Sequence, residues 1–248
     1  MCTVTIVQSP GWDGKAFRMA CSRDESHGRS PATEPEYRTV NGVKALMPVD
    51  PGSGGTWVGV NEFGVALTLL NHNLPEPPTG RDQSRGQVIP ALLHVPSVEE
   101  IVPQISAIKR ERMMPFRLVA CDGRYVLLWR GIDPVEKAEL SPWDGKPLMF
   151  TSSGLGDHLV EPPRRELFDG WFSGDPVKAI QEQEAFHRHQ WPGREHLSVC
   201  MHREDARTVS YTTVDVSPPG VTMFYHPDRP DREATESGGT LTPGLARP

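Results

Sequence analysis

Apolar and polar residues alternate from Cys2 to Val7, and after the turn-like stretch SPGWDG the alternation resumes over Phe17 to Cys21. The chain therefore opens with a predicted β-hairpin. A polar, proline-bearing connection runs on to Pro48, and DPGSGGTW then leads into Val58 to Asn61, the turn EFG and a strand from Val65 to Leu70. This second hairpin ends at Asn71. Apolar residues at helical spacing follow in SRGQVIPALL, and Ser97 with Glu100 three places on marks another helix start, which Pro103 should kink or shorten.

Phe116 to Cys121 and Tyr125 to Arg130 predict a hairpin around DGR, and Leu148 to Ser152 a further strand. Helices are expected over Pro163 to Phe172 and roughly Pro176 to His189, the second capped by Asp175. Strands around Val199 to Met201, over Thr208 to Val216 and over Val221 to Tyr225 close the chain. From Pro227 onward almost no apolar residue occurs, so one domain over 1–226 and a disordered tail over 227–248 are expected. Strands in blocks separated by helix pairs favour a layered α+β architecture over a parallel sheet wound by helices.

Composition narrows the class. The 248 residues suffice for one well-buried domain, and 37% hydrophobic with 23% charged residues is globular, with 25 prolines and 23 glycines adding loops. A net charge of -6 supplies no basic stripe, which argues against a nucleic-acid partner. The apolar runs are too short to span a bilayer and no leader precedes the first strand, so a cytoplasmic protein without membrane insertion is expected. The cysteines Cys2, Cys21, Cys121 and Cys200 form no CxxC pair and read as reduced thiols.

Cys2 carries the candidate chemistry. A small second residue lets the initiator methionine be removed, and the freed α-amine, titrating near pH 8, can take the proton of its own thiol. One residue then supplies nucleophile and base. The alternative is a small hydrophobe in second position. Arg23 and Asp24 in the stretch SRDE stand near a strand end where they could orient the thiol and hold the amine, or form a solvated turn. Asn71 and Asn73 share a face by alternation and are either amide donors or strand-closing residues. Gly54 and Gly55 permit close backbone approach or make a turn. Arg85 opens a helix where it could meet a substrate carboxylate or merely cap. His187 and His189 face apart on a helix, which disfavours a shared metal, leaving His72 beside Asn71 as the histidine to watch.

Together the segments MCTV, RMACSRDESHGRSPA, GGTWVGVNEFGVALTLLNHN, SRGQ, TSSGLGDHLVEPPRREL and HLSVCMHREDARTVSYT resemble the NRDE family, whose eukaryotic members are the transport and Golgi organisation type-two proteins, in a bacterial branch. The resemblance implies an N-terminal-nucleophile hydrolase fold, a four-layer αββα sandwich of two antiparallel sheets. By similarity to the cysteine amidases of the bile-salt and penicillin V hydrolase kind, Cys2 would be the nucleophile, Asp24 the carboxylate that positions its amine, Asn71 the oxyanion donor and Arg23 a neighbouring charge. Asn73, His72, Arg85 and Ser153 would be substrate-binding. Three positions depart from the pattern: Ser22 replaces the asparagine that opens the family motif, Ser152-Ser153 replaces a serine-asparagine pair, and Cys21 occupies the place of the amidase arginine.

Two functions follow as expectations. One is a cofactor-free amidohydrolase of small N-acyl compounds. The other is a binding or trafficking protein for haem or for lipid and acyl-CoA, without catalysis. Oligomeric state stays open.

Overall fold

The computed structural model describes residues 2–10, 15–132, 138–172, 174–217 and 220–242. Met1, whose removal the sequence predicts, most of the SPGWDG stretch and the last six residues of the expected tail lie outside them.

Thirteen strands form two wholly antiparallel sheets among the described residues. The first contains β1 (Cys2–Gln8), β2 (Phe17–Ser26), β10 (Leu148–Thr151), β11 (Ala206–Ser217), β12 (Gly220–His226) and β13 (Ser237–Leu241), in the order β10-β1-β2-β11-β12-β13. The second runs in chain order through β3 (Glu36–Val40), β4 (Val43–Met47), β5 (Val58–Asn61), β6 (Ala66–Asn71), β7 (Phe116–Cys121), β8 (Tyr125–Gly131) and β9 (Glu139–Pro142). Helices α3 (Asp157–Trp171) and α4 (Pro176–Arg188) cover the first sheet, and α1 (Val88–Leu92) with the short α2 (Ile101–Gln104) covers the second. This is the four-layer αββα sandwich of two antiparallel sheets that the resemblance implies.

Period-two alternation explains the layering. Val4, Ile6, Phe17, Met19 and Cys21 point between the sheets and meet Val58, Val60, Ala66 and Leu70 from the other side. The alternate positions of β1, Thr3 and Thr5, are equally buried because helices close over them. Their hydroxyls are used there: Thr5 Oγ1 lies 2.8 Å from His187 Nε2, and Arg164 Nη1 donates to Thr3 Oγ1 at 2.6 Å.

Several expectations change. The polar connection before Pro48 holds the hairpin β3–β4, turning at Asn41 and Gly42 with φ of 50° and 84°, the geometry an Asn-Gly pair supports in a two-residue hairpin loop. Val199 to Met201 is not a strand. The tail is not wholly unstructured, because β13 pairs with β12 through backbone hydrogen bonds that need no apolar side chain. Helix α3 begins at Asp157, six residues before Pro163, and runs through Pro162 and Pro163. The carbonyls those prolines leave unbonded belong to the exposed residues His158 and Leu159, where water can satisfy them.

Candidate active site

The β1–β2 register pairs Cys2 with Arg23 and Val4 with Cys21, so Cys2, Cys21 and Arg23 lie on one face, between the sheets. Ser22 and Asp24 lie on the other, toward the helices. SRDE is neither a strand end nor a solvated turn, as the sequence suggested, because β2 continues to Ser26 with β11 paired along its full length. Arg23 is 6% and Asp24 1% exposed. The β11 ladder shifts register between Thr208 and Ser210, directly opposite these two residues, and such bulges re-aim side chains locally.

Cys2, Arg23, Asn71 and Arg85, drawn from four separate segments, line one cavity of about 190 Å³. Glu25, Arg29, Asp50 and Trp57 complete much of its wall. A larger cavity of about 420 Å³ opens beside Arg18 and Tyr211, but no thiol lines it. Within the smaller one, Asp50 Oδ2 accepts from Arg23 Nη2 at 2.6 Å and from Arg29 Nε at 2.8 Å. Burial pushes the Asp50 carboxyl up, but the two arginines outweigh it and hold the group below the usual range. The Arg23 guanidinium also stacks 4.2 Å above the Trp57 ring.

Two sequence motifs meet at this wall. Gly55 of GGTW and Gly86 of SRGQ touch through their backbones, and a Cβ on Gly55 would fall 2.5 Å from Gly86. Thr56 N donates to Gly86 O at 3.0 Å. The glycine permits close approach of protein backbone rather than of a ligand.

The four thiols divide by environment. A hydrogen bond from Cys21 lowers the pKa of the Cys2 thiol, and the same contact pushes Cys21 well up. Burial pushes Cys121 up, and Cys200 up to about 12. Around Cys2, its nitrogen donates to Ser152 Oγ at 3.3 Å and its carbonyl accepts from Ser152 N at 2.9 Å. Burial raises the Asp24 carboxyl, opposed by Arg164 and by the Thr208 hydroxyl, which donates to Asp24 Oδ1 at 2.7 Å. Asp24 and Arg23 both act electrostatically on the Cys2 thiol.

Asn71 sits at the end of β6 with no hydrogen-bond partner for its side-chain amide among the described residues. Of the expected substrate contacts, Arg85 lines the cavity and the other three lie outside it. Asn73 Nδ2 donates to Ser153 O at 2.7 Å and to Asp157 Oδ1, and Ser153 N donates to the same carboxylate at 2.8 Å. His72 N is bound to Pro115 O, and neither His72, Asn73 nor Ser153 lines the cavity. His187 bridges Thr5 Oγ1 and Ser22 Oγ, both at 2.8 Å. Asp50 and Trp57 escaped the sequence reading. Asp50 looks like a turn residue, and it does bind Ser53 N at 3.1 Å through Oδ1, while its second oxygen reaches the arginines.

The family model for Transport and Golgi organisation 2 matches residues 1–153. The chain belongs to the Transport and Golgi organisation 2 family. The match spans β1 to β10 and so includes Cys2, Arg23, Asp24, Asn71, Arg85 and Ser152 in one family segment. Comparison with curated protein sequences gives no match. Among solved structures, the chain is similar to a conjugated bile acid hydrolase from Clostridium perfringens, with a TM-score of 0.52, 13% identity, and 97% of this chain and 92% of that one covered. An N-acylethanolamine-hydrolyzing acid amidase ortholog from Caenorhabditis elegans aligns with a TM-score of 0.46 and 11% identity over 86% of this chain and 92% of that one. The first likeness establishes the fold.

Proposed function

We propose that this chain is an N-terminal-nucleophile cysteine amidohydrolase that cleaves the C–N bond of a small N-acyl compound. One observation carries the reading: the one thiol of lowered pKa opens onto a cavity beside Asn71, whose amide has no partner among the described residues. The fold it shares with a bile acid hydrolase is consistent with this.

In this mechanism loss of Met1 frees the Cys2 α-amine, which Ser152 Oγ holds and which takes the thiol proton. The thiolate attacks the amide carbon. Negative charge develops on the carbonyl oxygen, where Asn71 and a backbone amide donate to it. The amine leaves with the proton from the α-ammonium, and water, deprotonated by the same amine, hydrolyses the thioester. Asp24 sets the field around that amine from the helix side. The cavity is smaller than the roughly 300–1,000 Å³ typical of drug-sized ligands, which suits a compact group at the scissile bond.

Intact-mass analysis before and after brief exposure to a thiol-directed electrophile at neutral pH tests the reading. Methionine loss and labelling of Cys2 ahead of Cys21, Cys121 and Cys200 are expected, with turnover of N-acyl compounds abolished in Cys2→Ala. Retained methionine, or a Cys2 no faster than the other thiols, overturns it. Haem titration followed by a Soret shift, and acyl-CoA binding, would then test a carrier instead.

A further inference from the structure

Cys21 departs from the amidase pattern, and the hydrolytic steps give it no role. Its position is nevertheless fixed against the nucleophile. The Cys2 nitrogen and carbonyl both engage Ser152, so on the β2 side Cys2 and Arg23 face each other as a rung without backbone hydrogen bonds. Val4 and Cys21 form the next rung of that kind. Such rungs hold side chains closest, and both thiols point between the sheets. The Cys21 thiol hydrogen-bonds to Cys2, and Thr68 Oγ1 lies 3.9 Å from Cys21 Sγ.

The two thiols differ in access. Cys2 lines the cavity, whereas Cys21 is wholly buried and does not. A small oxidant entering the cavity therefore meets Cys2 first. Contact with Cys21 also lowers the Cys2 pKa, and the thiolate is the form that a peroxide oxidises. The other two thiols stand apart: Cys121 ends β7, Cys200 lies between α4 and β11, and neither lines the cavity.

We propose that Cys2 and Cys21 form a reversible oxidation site for a small hydroperoxide, which closes a disulfide across β1 and β2. The Cys2 sulfur attacks the peroxide and breaks its O–O bond, keeping one oxygen as the sulfenic acid, while the other leaves with the proton that the Cys2 thiol released. The Cys21 sulfur then displaces the hydroxyl: the S–S bond forms, the S–O bond breaks, and water leaves with the Cys21 proton. The two thiols lose two electrons, which reduce the peroxide, and an external dithiol returns them. The movement from thiol contact to bond falls on Cys2, the first residue of β1, which no earlier strand residue holds back. The bond masks the nucleophile and keeps it from the irreversible sulfinic acid. The inference needs two thiols and no turnover, so it stands apart from the amidohydrolase reading.

Hydrogen peroxide added to the reduced full chain tests it. The intact mass should fall by about 2 Da, with Cys2 and Cys21 recovered in one bridged peptide, and dithiothreitol should restore both the mass and iodoacetamide labelling of Cys2. In Cys21→Ala and Cys21→Ser the same treatment should instead add oxygen to Cys2, a gain of about 32 Da that dithiothreitol does not reverse. Oxidation of wild-type Cys2 to the sulfinic acid without a bridge overturns the proposal, and this result needs neither variant to fold. A bridge from Cys2 to Cys121, to Cys200 or to a second chain overturns it as well. Bridge formation in a chain that hydrolyses no N-acyl compound when reduced would leave the oxidation site standing and defeat the amidohydrolase reading alone.

Discussion

Ser152 holds the backbone of Cys2 from both sides, accepting from its nitrogen through Oγ at 3.3 Å and donating to its carbonyl through N at 2.9 Å. Only the first contact uses a side chain. Ser152→Ala therefore keeps the β1–β10 pairing but frees the nitrogen that the proposed mechanism uses as base. A hydrogen bond to a charged amine contributes about 1.5 kcal/mol or more, so alkylation of Cys2 at neutral pH should slow roughly tenfold while the melting temperature stays near wild type. Unchanged labelling kinetics would show that Oγ does not orient the amine.

The contact of Gly55 with Gly86 has no room for a side chain. Gly55→Ala would place a Cβ 2.5 Å from backbone atoms that cannot rotate away. Overpacking of this kind costs about 1–3 kcal/mol, which for a domain of this size lowers the melting temperature by roughly 2–10 °C. Gly54→Ala meets no nearby atom but must adopt a φ of 64°. A loss there equal to that of Gly55→Ala would mean backbone conformation, not contact, governs this wall.

How much of this was legible in the chain depends on range. The β7–β8 hairpin reads directly, since apolar runs flank DGR and no distant partner is needed. By contrast β3 carries Glu36, Tyr37, Arg38 and Thr39 at a sheet edge, largely exposed, so its pattern hides it, and only Asn41-Gly42 betrays the turn. β13 is recruited by backbone pairing with β12, and only Leu241 in it is buried, a feature apolar counting cannot see. Cys2, Arg23, Asn71 and Arg85 were each visible as candidates. What assembles them is the Cys2–Arg23 register and the Gly55–Gly86 contact, both set by tertiary pairing. The same alternation separates Ser152, which touches Cys2, from Ser153, which turns to Asp157.

His187 is buried as the neutral ring between Thr5 and Ser22, and burial lowers its pKa from 6.5 to about 3. A folded value below the unfolded one means that the unfolded chain binds the extra proton. Its contribution to stability is complete above pH 6.5 and is lost as pH falls toward 3. Linkage puts the loss at about 2 kcal/mol by pH 5. Urea midpoints at pH 7 and 5 should fall further apart in the wild type than in His187→Gln. An equal drop in both would mean the ring is not desolvated.

Asp24 has the opposite sign, and the two groups can be separated because each variant removes one slope. Burial raises the Asp24 carboxyl above 3.8 despite Arg164 and Thr208, so the folded state binds this proton more tightly than the unfolded chain. The corresponding stability is complete below 3.8 and disappears as pH rises through the folded value. Asp24→Asn keeps an oxygen for the Thr208 hydroxyl and has no proton to lose. Its stability relative to wild type should therefore rise between pH 4 and 6, measured by urea unfolding at steps across that interval. A gap that stays constant would mean Arg164 compensates the carboxylate fully. A gap that narrows would mean the ionised Asp24 stabilises the fold, and the charge beside Cys2 would then be a structural necessity rather than one held there at a cost for chemistry.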